Sequence, residues 1–335
     1  MDHDVERVLR LYPDDCQPRA FEPVAAGLGF SGAALWRVAT GRGSLCLRRW
    51  PPGYPTVERL EFIQAVLWHV DQEGFRLIPL PLETRHRHGY VFFAGHLWEL
   101  TPWLEGTADF HHHPSDERLA NALAALAQFH VATSTFPLPE TQPAVSPGVG
   151  ERRRRWAELA AGRLEAIRAA STNGAWPTLT LAARNLIELA DRVGPRVAPL
   201  VESVADLQVP LQPCIRDIWS AHVLFEGDRV SGIVDFGAMR VESVAADIAR
   251  LLGSLAGDDP ARWQVGLAAY EQVRKLSEDE SRLVLVFDRS TVLLGGLQWL
   301  EWIYLEGREF PDHRAVMSRI DEFTNRLAVL ALGSG

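Results

Sequence analysis

The stretch Cys214-Ile-Arg-Asp-Ile-Trp-Ser-Ala-His-Val-Leu-Phe225 decides the reading of the chain, together with Val230-Ser-Gly-Ile-Val-Asp-Phe-Gly237 beyond it. Residues 223–225 and 230–236 are short apolar, β-branched runs separated by the turn Glu226-Gly227-Asp228, which is the pattern of a hairpin. Asp217 lies in a polar break before the first strand, and His222 stands at its entrance. Asp235 follows the second strand. A hairpin brings its two ends together, so Asp217, His222 and Asp235 can converge on one site. Phosphoryl transfer needs such a set: one carboxylate to orient and deprotonate a hydroxyl, and others to hold a magnesium ion against the phosphates.

The chemistry of the rest of the chain narrows the options. Of 335 residues, 34 are Lys or Arg and 43 are Asp or Glu, for a net charge of −9. Only one basic residue is a lysine, Lys275, and no glycine precedes it, so a Walker A loop is excluded. A Schiff-base lysine is disfavoured by the charged surroundings of Lys275. Phosphate charge must therefore be met by arginine. The acidic balance argues against nucleic acid as a partner. Residues 152–155, four arginines at a helix start, read as a solvated helix face. Cys16, Cys46 and Cys214 form no CxxC pair, which favours a reducing cytoplasm over a disulfide framework. The apolar stretch 291–305 is interrupted by Gln298 and Glu301 and is too short to span a bilayer, so no membrane association is expected.

Residues 1–101 read as a small β-rich lobe. Strands are expected over 21–27, 35–39, 44–50, 80–84, 90–93 and 97–101, with an amphipathic helix over 57–70. Residues 102–335 read as a larger helical lobe, with helices near 115–134, 151–171, 179–206 and from 244 onward. The fold class is α+β, in two lobes with the hairpin set into the second. Gly27-Leu-Gly-Phe-Ser-Gly32 matches GxGxxG. A dinucleotide-binding turn is excluded because Gly41 and Gly43 break any following helix, and no acidic residue falls between Glu22 and Glu58. A phosphate-covering loop between antiparallel strands and a plain Gly-rich hairpin both remain open. His111-His112-His113 reads as a solvated loop, and Trp299, Trp302 and Tyr304 read as core.

The ordered series Arg216-Asp217, His222-Val-Leu-Phe225, Asp235-Phe-Gly237 and Asp247 resembles the aminoglycoside phosphotransferase family of small-molecule kinases, which includes homoserine and choline kinase relatives and has a protein-kinase-like fold. The resemblance extends to Ala124–His130, the third strand at Leu45-Cys-Leu-Arg-Arg-Trp50, and the segment Glu99-Leu-Thr-Pro-Trp103. It implies ATP and Mg2+ as cofactors and a small-molecule hydroxyl as acceptor, with the acidic net charge compatible with a cationic one. It implies Asp217 as base, with Arg216 beside it in the catalytic loop, Asp235 as magnesium ligand, and Asp247 as support for the loop. Gly27, Gly29 and Gly32 would cover the phosphates, and Glu99 and Thr101 would offer backbone contacts to adenine.

Three positions depart from the pattern. Arg48 stands where lysine is usual, and its planar fork is not interchangeable with an ammonium. Glu61 is the expected ion-pair partner for it, with Glu58 second. His222 replaces a metal-binding asparagine, although magnesium prefers oxygen. Ile215 replaces a histidine. These departures leave a second expectation open, a catalytically impaired, pseudokinase-like nucleotide-binding or scaffold protein. Neither the acceptor nor the oligomeric state is legible.

Overall fold

The computed structural model of the chain describes residues 2–24, 32–139, 143–173, 177–310 and 312–333. Five antiparallel strands come from the first third of the chain: β1 (Pro18–Pro23), β2 (Ala34–Thr40), β3 (Gly43–Arg49), β4 (Val91–Phe93) and β5 (His96–Pro102). They lie in the order β1-β2-β3-β5-β4. Gly43, at φ +116°, closes the β2–β3 turn in a conformation that a Cβ would oppose.

Side-chain alternation along β3 gives the sheet two different faces. Leu45 and Leu47 pack with Val5, Val8 and Leu9 of helix α1 (Asp2–Leu9). Each such fully buried aliphatic side chain contributes about 1.5–3 kcal/mol. Cys46 and Arg48 alternate onto the other face, toward helix α2 (Val57–Gln72), which is capped by the Thr56 hydroxyl accepting from the Arg59 N–H. The strand expected over 80–84 does not form. Pro79 and Pro81 remove ladder donors there, and the segment keeps a single bond of this kind, from Leu82 N to Leu100 O at 2.8 Å.

Beyond β5 the chain is mainly helical: α3 (Asp116–Thr133), α4 (Pro147–Glu158), α5 (Leu164–Ala170), α6 (Pro177–Glu202), α7 (Ala245–Leu255), α8 (Pro260–Val273), α9 (Glu278–Tyr304) and α10 (His313–Leu332). The helix expected over 151–171 is divided by a wide turn, Leu159–Arg163, in which Gly162 sits at φ +114°. Three two-stranded pairs lie among the helices: β6 (Ala144–Val145) with β7 (Gln208–Val209), β8 (Gln212–Cys214) with β11 (Arg240–Glu242), and the hairpin β9 (Val223–Glu226) with β10 (Arg229–Ile233).

The main core joins α2, α3, α7 and the hairpin, and a second core is shared by α6, α9 and α10. Helix α9 is long and apolar enough by composition to cross a membrane, but 61% of its apolar window is buried within the protein. Trp299 belongs to the second core, edge-on to Trp302 at 5.2 Å. The arginine run is a solvated face only in part, with Arg153 and Arg154 exposed and the other two turned inward. Arg152 turns inward to Ser290 Oγ and Thr291 Oγ1, both at 2.9 Å, and lies 4.1 Å over the Phe287 ring. Burial, and after it the Arg216 charge, lower its pKa to about 10. Arg155 pairs with buried Glu301, and Arg153 with Glu202.

Candidate active site

The β8–β11 pair presents the loop that carries Asp217. Arg216 has φ +71° and Asp235 has φ +65°, a region L residues seldom occupy, so both positions must be held by their surroundings. The holder on the Arg216 side is Asp247, fully buried at the start of α7. Its two oxygens accept the Ile215 N–H at 2.7 Å and the Arg216 N–H at 2.6 Å. His130 of α3 lies 3.1 Å from the same carboxylate through Nε2, and its Nδ1 is 2.8 Å from the Tyr270 hydroxyl. Burial lowers the pKa of His130. A neutral ring carries one N–H, so Nε2–H donates to Asp247 and Nδ1 accepts from Tyr270.

His130, Cys214 and Asp247 converge closely enough to suggest a metal site. Their polar atoms are instead engaged in these bonds and in one from Cys214 Sγ to Glu242 O, so the cluster is an anchor. Arg216 has the same part. Its guanidinium pairs with buried Glu242 and with Glu151, which ties the loop to β11 and α4 and aims no charge at Asp217.

Asp217 is half-exposed, with Oδ1 held by Arg250 of α7 through Nε at 3.3 Å and Nη2 at 3.0 Å. Among the described residues its Oδ2 has no hydrogen-bond partner, which leaves that oxygen available to a hydroxyl. The Asp217 carbonyl lies 2.7 Å from His222 Nδ1, and His222 Nε2 receives the Trp219 indole N–H at 3.0 Å. Nδ1 therefore carries the proton. Burial lowers the pKa of His222, against the opposing pull of Asp235 and Asp217. Its Nε2 lies 3.6 Å from Asp235 Oδ2.

Asp235 faces the sheet. Arg48 Nη1 donates to its Oδ1 at 3.0 Å, and the same guanidinium stacks 4.6 Å over Trp50. Burial is the largest single effect on both groups and works against their charge, but the partners of each together outweigh it. The pKa of Arg48 is raised, and that of Asp235 is lowered by Arg48 and then His222.

The second carboxylate beside Arg48 is not Glu61. Glu61 accepts from the Tyr90 hydroxyl at 3.0 Å. Gln64, one turn further along α2, points inward and donates to Glu99 Oε2 at 3.1 Å. Glu99 is the register partner of Arg48 across β3 and β5, and it is buried. Burial raises its pKa despite Arg48. Arg48→Met would leave Asp235 and Glu99 without their cation, with an expected loss of about 2–3 kcal/mol in urea unfolding.

The backbone of Glu99 and Thr101 is also placed differently from the expectation. Leu97 O accepts from Trp50 N on the β3 side, whereas Leu100 O turns away to Leu82 N. By alternation, positions 99 and 101 face β3 inside the ladder. The crossing into the helical part is residues 103–106. Gly27 and Gly29 lie outside the described residues, and Gly32 sits at φ +73°.

Asp235 suits a hard divalent cation, being a partly exposed carboxylate that lies between Arg48 of the sheet and His222. His222 does not, since both of its nitrogens are engaged and nitrogen is a poor magnesium donor. Gln64, Trp219 and Arg250 give no signal in local sequence patterns, and Glu99 is expected only for its backbone. An acid in the apolar run Leu97–Leu100 does imply a buried cation partner, and that signal could have found Glu99.

A sheet beside a helical body, with an aspartate loop and a strand-borne cation meeting Asp-Phe-Gly, defines a kinase-like phosphotransferase fold. Residues 22–283 match the phosphotransferase enzyme family, and the chain belongs to it. It is 26% identical over 259 residues to a homoserine kinase of Beijerinckia indica subsp. indica, covering 73% of this chain and 70% of that one. An aminoglycoside phosphotransferase from Alicyclobacillus acidocaldarius superposes with a TM-score of 0.66 at 17% identity, over 97% of this chain and 93% of that one. An amicoumacin kinase in complex with AMP-PNP and Ca2+ superposes with a TM-score of 0.63 at 13% identity, over 94% and 90%. The chain is therefore a phosphotransferase of this family.

Proposed function

We propose that the chain transfers the γ-phosphate of ATP to a hydroxyl of a small molecule, with Asp217 as base. The carrying observation is Asp217 Oδ2 left without a partner while Arg250 fixes Oδ1. Asp217 takes the hydroxyl proton as the acceptor oxygen bonds to the γ-phosphorus. The bond from that phosphorus to the β–γ bridging oxygen breaks, and ADP leaves. Arg48 donates one N–H to Asp235 and would offer others to phosphate oxygens. Asp235 would hold the magnesium ion, which when bound neutralises phosphate charge.

Residues 1–101, with Gly27, Gly29 and Gly32, would cover the nucleotide, and residues 102–335 would carry the base and acceptor site. The reading places the protein in the cytoplasm, where Cys16, Cys46 and Cys214 stay as thiols. The homoserine kinase relative makes hydroxy amino acids the first acceptors to try.

The test is ATP turnover against a panel of hydroxy amino acids, amino alcohols, sugars and aminoglycosides, with nucleotide thermal shifts measured with and without Mg2+. Metal-dependent ATP stabilisation and turnover support the reading. One observation favours a second reading, an impaired nucleotide-binding protein: Arg48 already occupies the carboxylate that a metal needs. Stabilisation by ATP without turnover would favour it. His222→Asn, which restores an oxygen donor beside Asp235, is expected to lower the Mg2+ concentration needed for half-maximal rate. An unchanged requirement would remove His222 from the metal's surroundings.

A further inference from the structure

Two arginines from different helices reach the loop that carries the proposed base. Arg250 holds Asp217 from α7. Arg319, from α10, lies 4.6 Å over the ring of Trp219, two residues beyond Asp217 in the same loop, and pairs with Glu322. Both side chains are largely shielded, at 21% and 10% exposed. Burial, and next the Arg250 charge, hold the pKa of Arg319 below its ordinary value. Two guanidinium groups thus repel each other in a place where water cannot screen them fully, an arrangement that an incoming anion would relieve.

Each also has donors to spare. Among the described residues, Arg250 Nη1 and Arg319 Nη2 have no hydrogen bond. A guanidinium fork matches a carboxylate, and its stack on Trp219 fixes the plane. Glu322, on the same helix turn, offers a carboxylate for an ammonium group.

We propose that Arg319, with Arg250, binds a carboxylate of the phosphate acceptor, so that the acceptor is a hydroxy amino acid and not a cationic amino alcohol or aminoglycoside. The proposal rests on the phosphotransfer reading above. It reverses the cationic acceptor suggested by the net charge of −9, a whole-chain quantity that says nothing about the groups around Asp217.

Two acceptors separate the alternatives without any mutation: L-homoserine, and 3-aminopropan-1-ol, which lacks its carboxylate. Wild-type kcat/KM is expected to favour homoserine on the order of 100-fold. Arg319→Gln is expected to raise the homoserine KM by about 10- to 100-fold and to collapse that preference, with Arg319→Lys retaining part of it. Wild-type preference for the amino alcohol overturns the proposal. So does an Arg319→Gln effect of equal size on both acceptors. If no acceptor of any class releases ADP above the Asp217→Asn background, the phosphotransfer reading falls instead. Calorimetric titration of homoserine into wild type and Arg319→Gln, each with a non-hydrolysable ATP analogue, then decides the carboxylate site alone. Weaker binding to the variant upholds it, and equal or absent binding ends it.

Discussion

Asp217→Asn is expected to cut phosphoryl transfer by about 10²- to 10⁴-fold, the usual contribution of a positioned general base. The substitution is nearly isosteric. An asparagine Oδ1 still accepts from Arg250, and the residue 217 carbonyl still meets His222, because neither bond needs the carboxylate charge. What disappears is the ability of the second oxygen to take a proton from a hydroxyl. The loss should therefore fall on kcat, with the KM for ATP and the melting temperature little changed. Steady-state kinetics and a thermal melt on the same preparation check it. Retained turnover would mean that another group accepts the proton, and His222, which meets the Asp217 carbonyl, is the candidate base to consider. Its buried, neutral ring has its lone pair committed to Trp219, which makes it a poor substitute.

That Asp217 and Asp235 both lie against His222 could be read from the chain because their placement depends on local structure alone. A hairpin of fixed length joins them, and alternating apolar residues with one turn define it. The partner of Arg48 could not be read in the same way. Glu61 and Gln64 are three residues apart and share a helix face, so which of them points inward is set by how α2 packs on the sheet. Glu99 reaches Arg48 through the register of β3 on β5, two strands separated by about fifty residues of chain. Arg250 and Arg319 arrive from helices far along the chain, and no spacing rule links them to Asp217. The failed strand over 80–84 is a different kind of miss. Pro79 and Pro81 forbid a ladder there and outweigh the apolar pattern of the segment.

Asp247→Ala is expected to have the largest effect on stability. The side chain is fully buried and accepts two backbone N–H groups, from Ile215 and Arg216, as well as the His130 ring proton. Alanine removes the two oxygens that accept all three bonds. Leaving a buried donor unsatisfied costs about 1–3 kcal/mol, so two backbone donors alone amount to roughly 4 kcal/mol. That is a large share of the 5–15 kcal/mol typical of a folded domain, and a fall in melting temperature on the order of 10 °C follows. The effect should reach the site as well. Arg216 occupies the left-handed region, and Asp247 holds the N–H groups on either side of the Ile215 Cα just before it. Without it the loop can relax to an ordinary conformation that turns Asp217 away from Arg250. Asp247→Asn offers a milder comparison, because its amide oxygen can keep one of the two backbone bonds. If Asp247→Ala instead melted like wild type while losing turnover, the carboxylate would be acting on the reaction and not on the fold. Chemical denaturation and kinetics on the pair of variants separate the two outcomes.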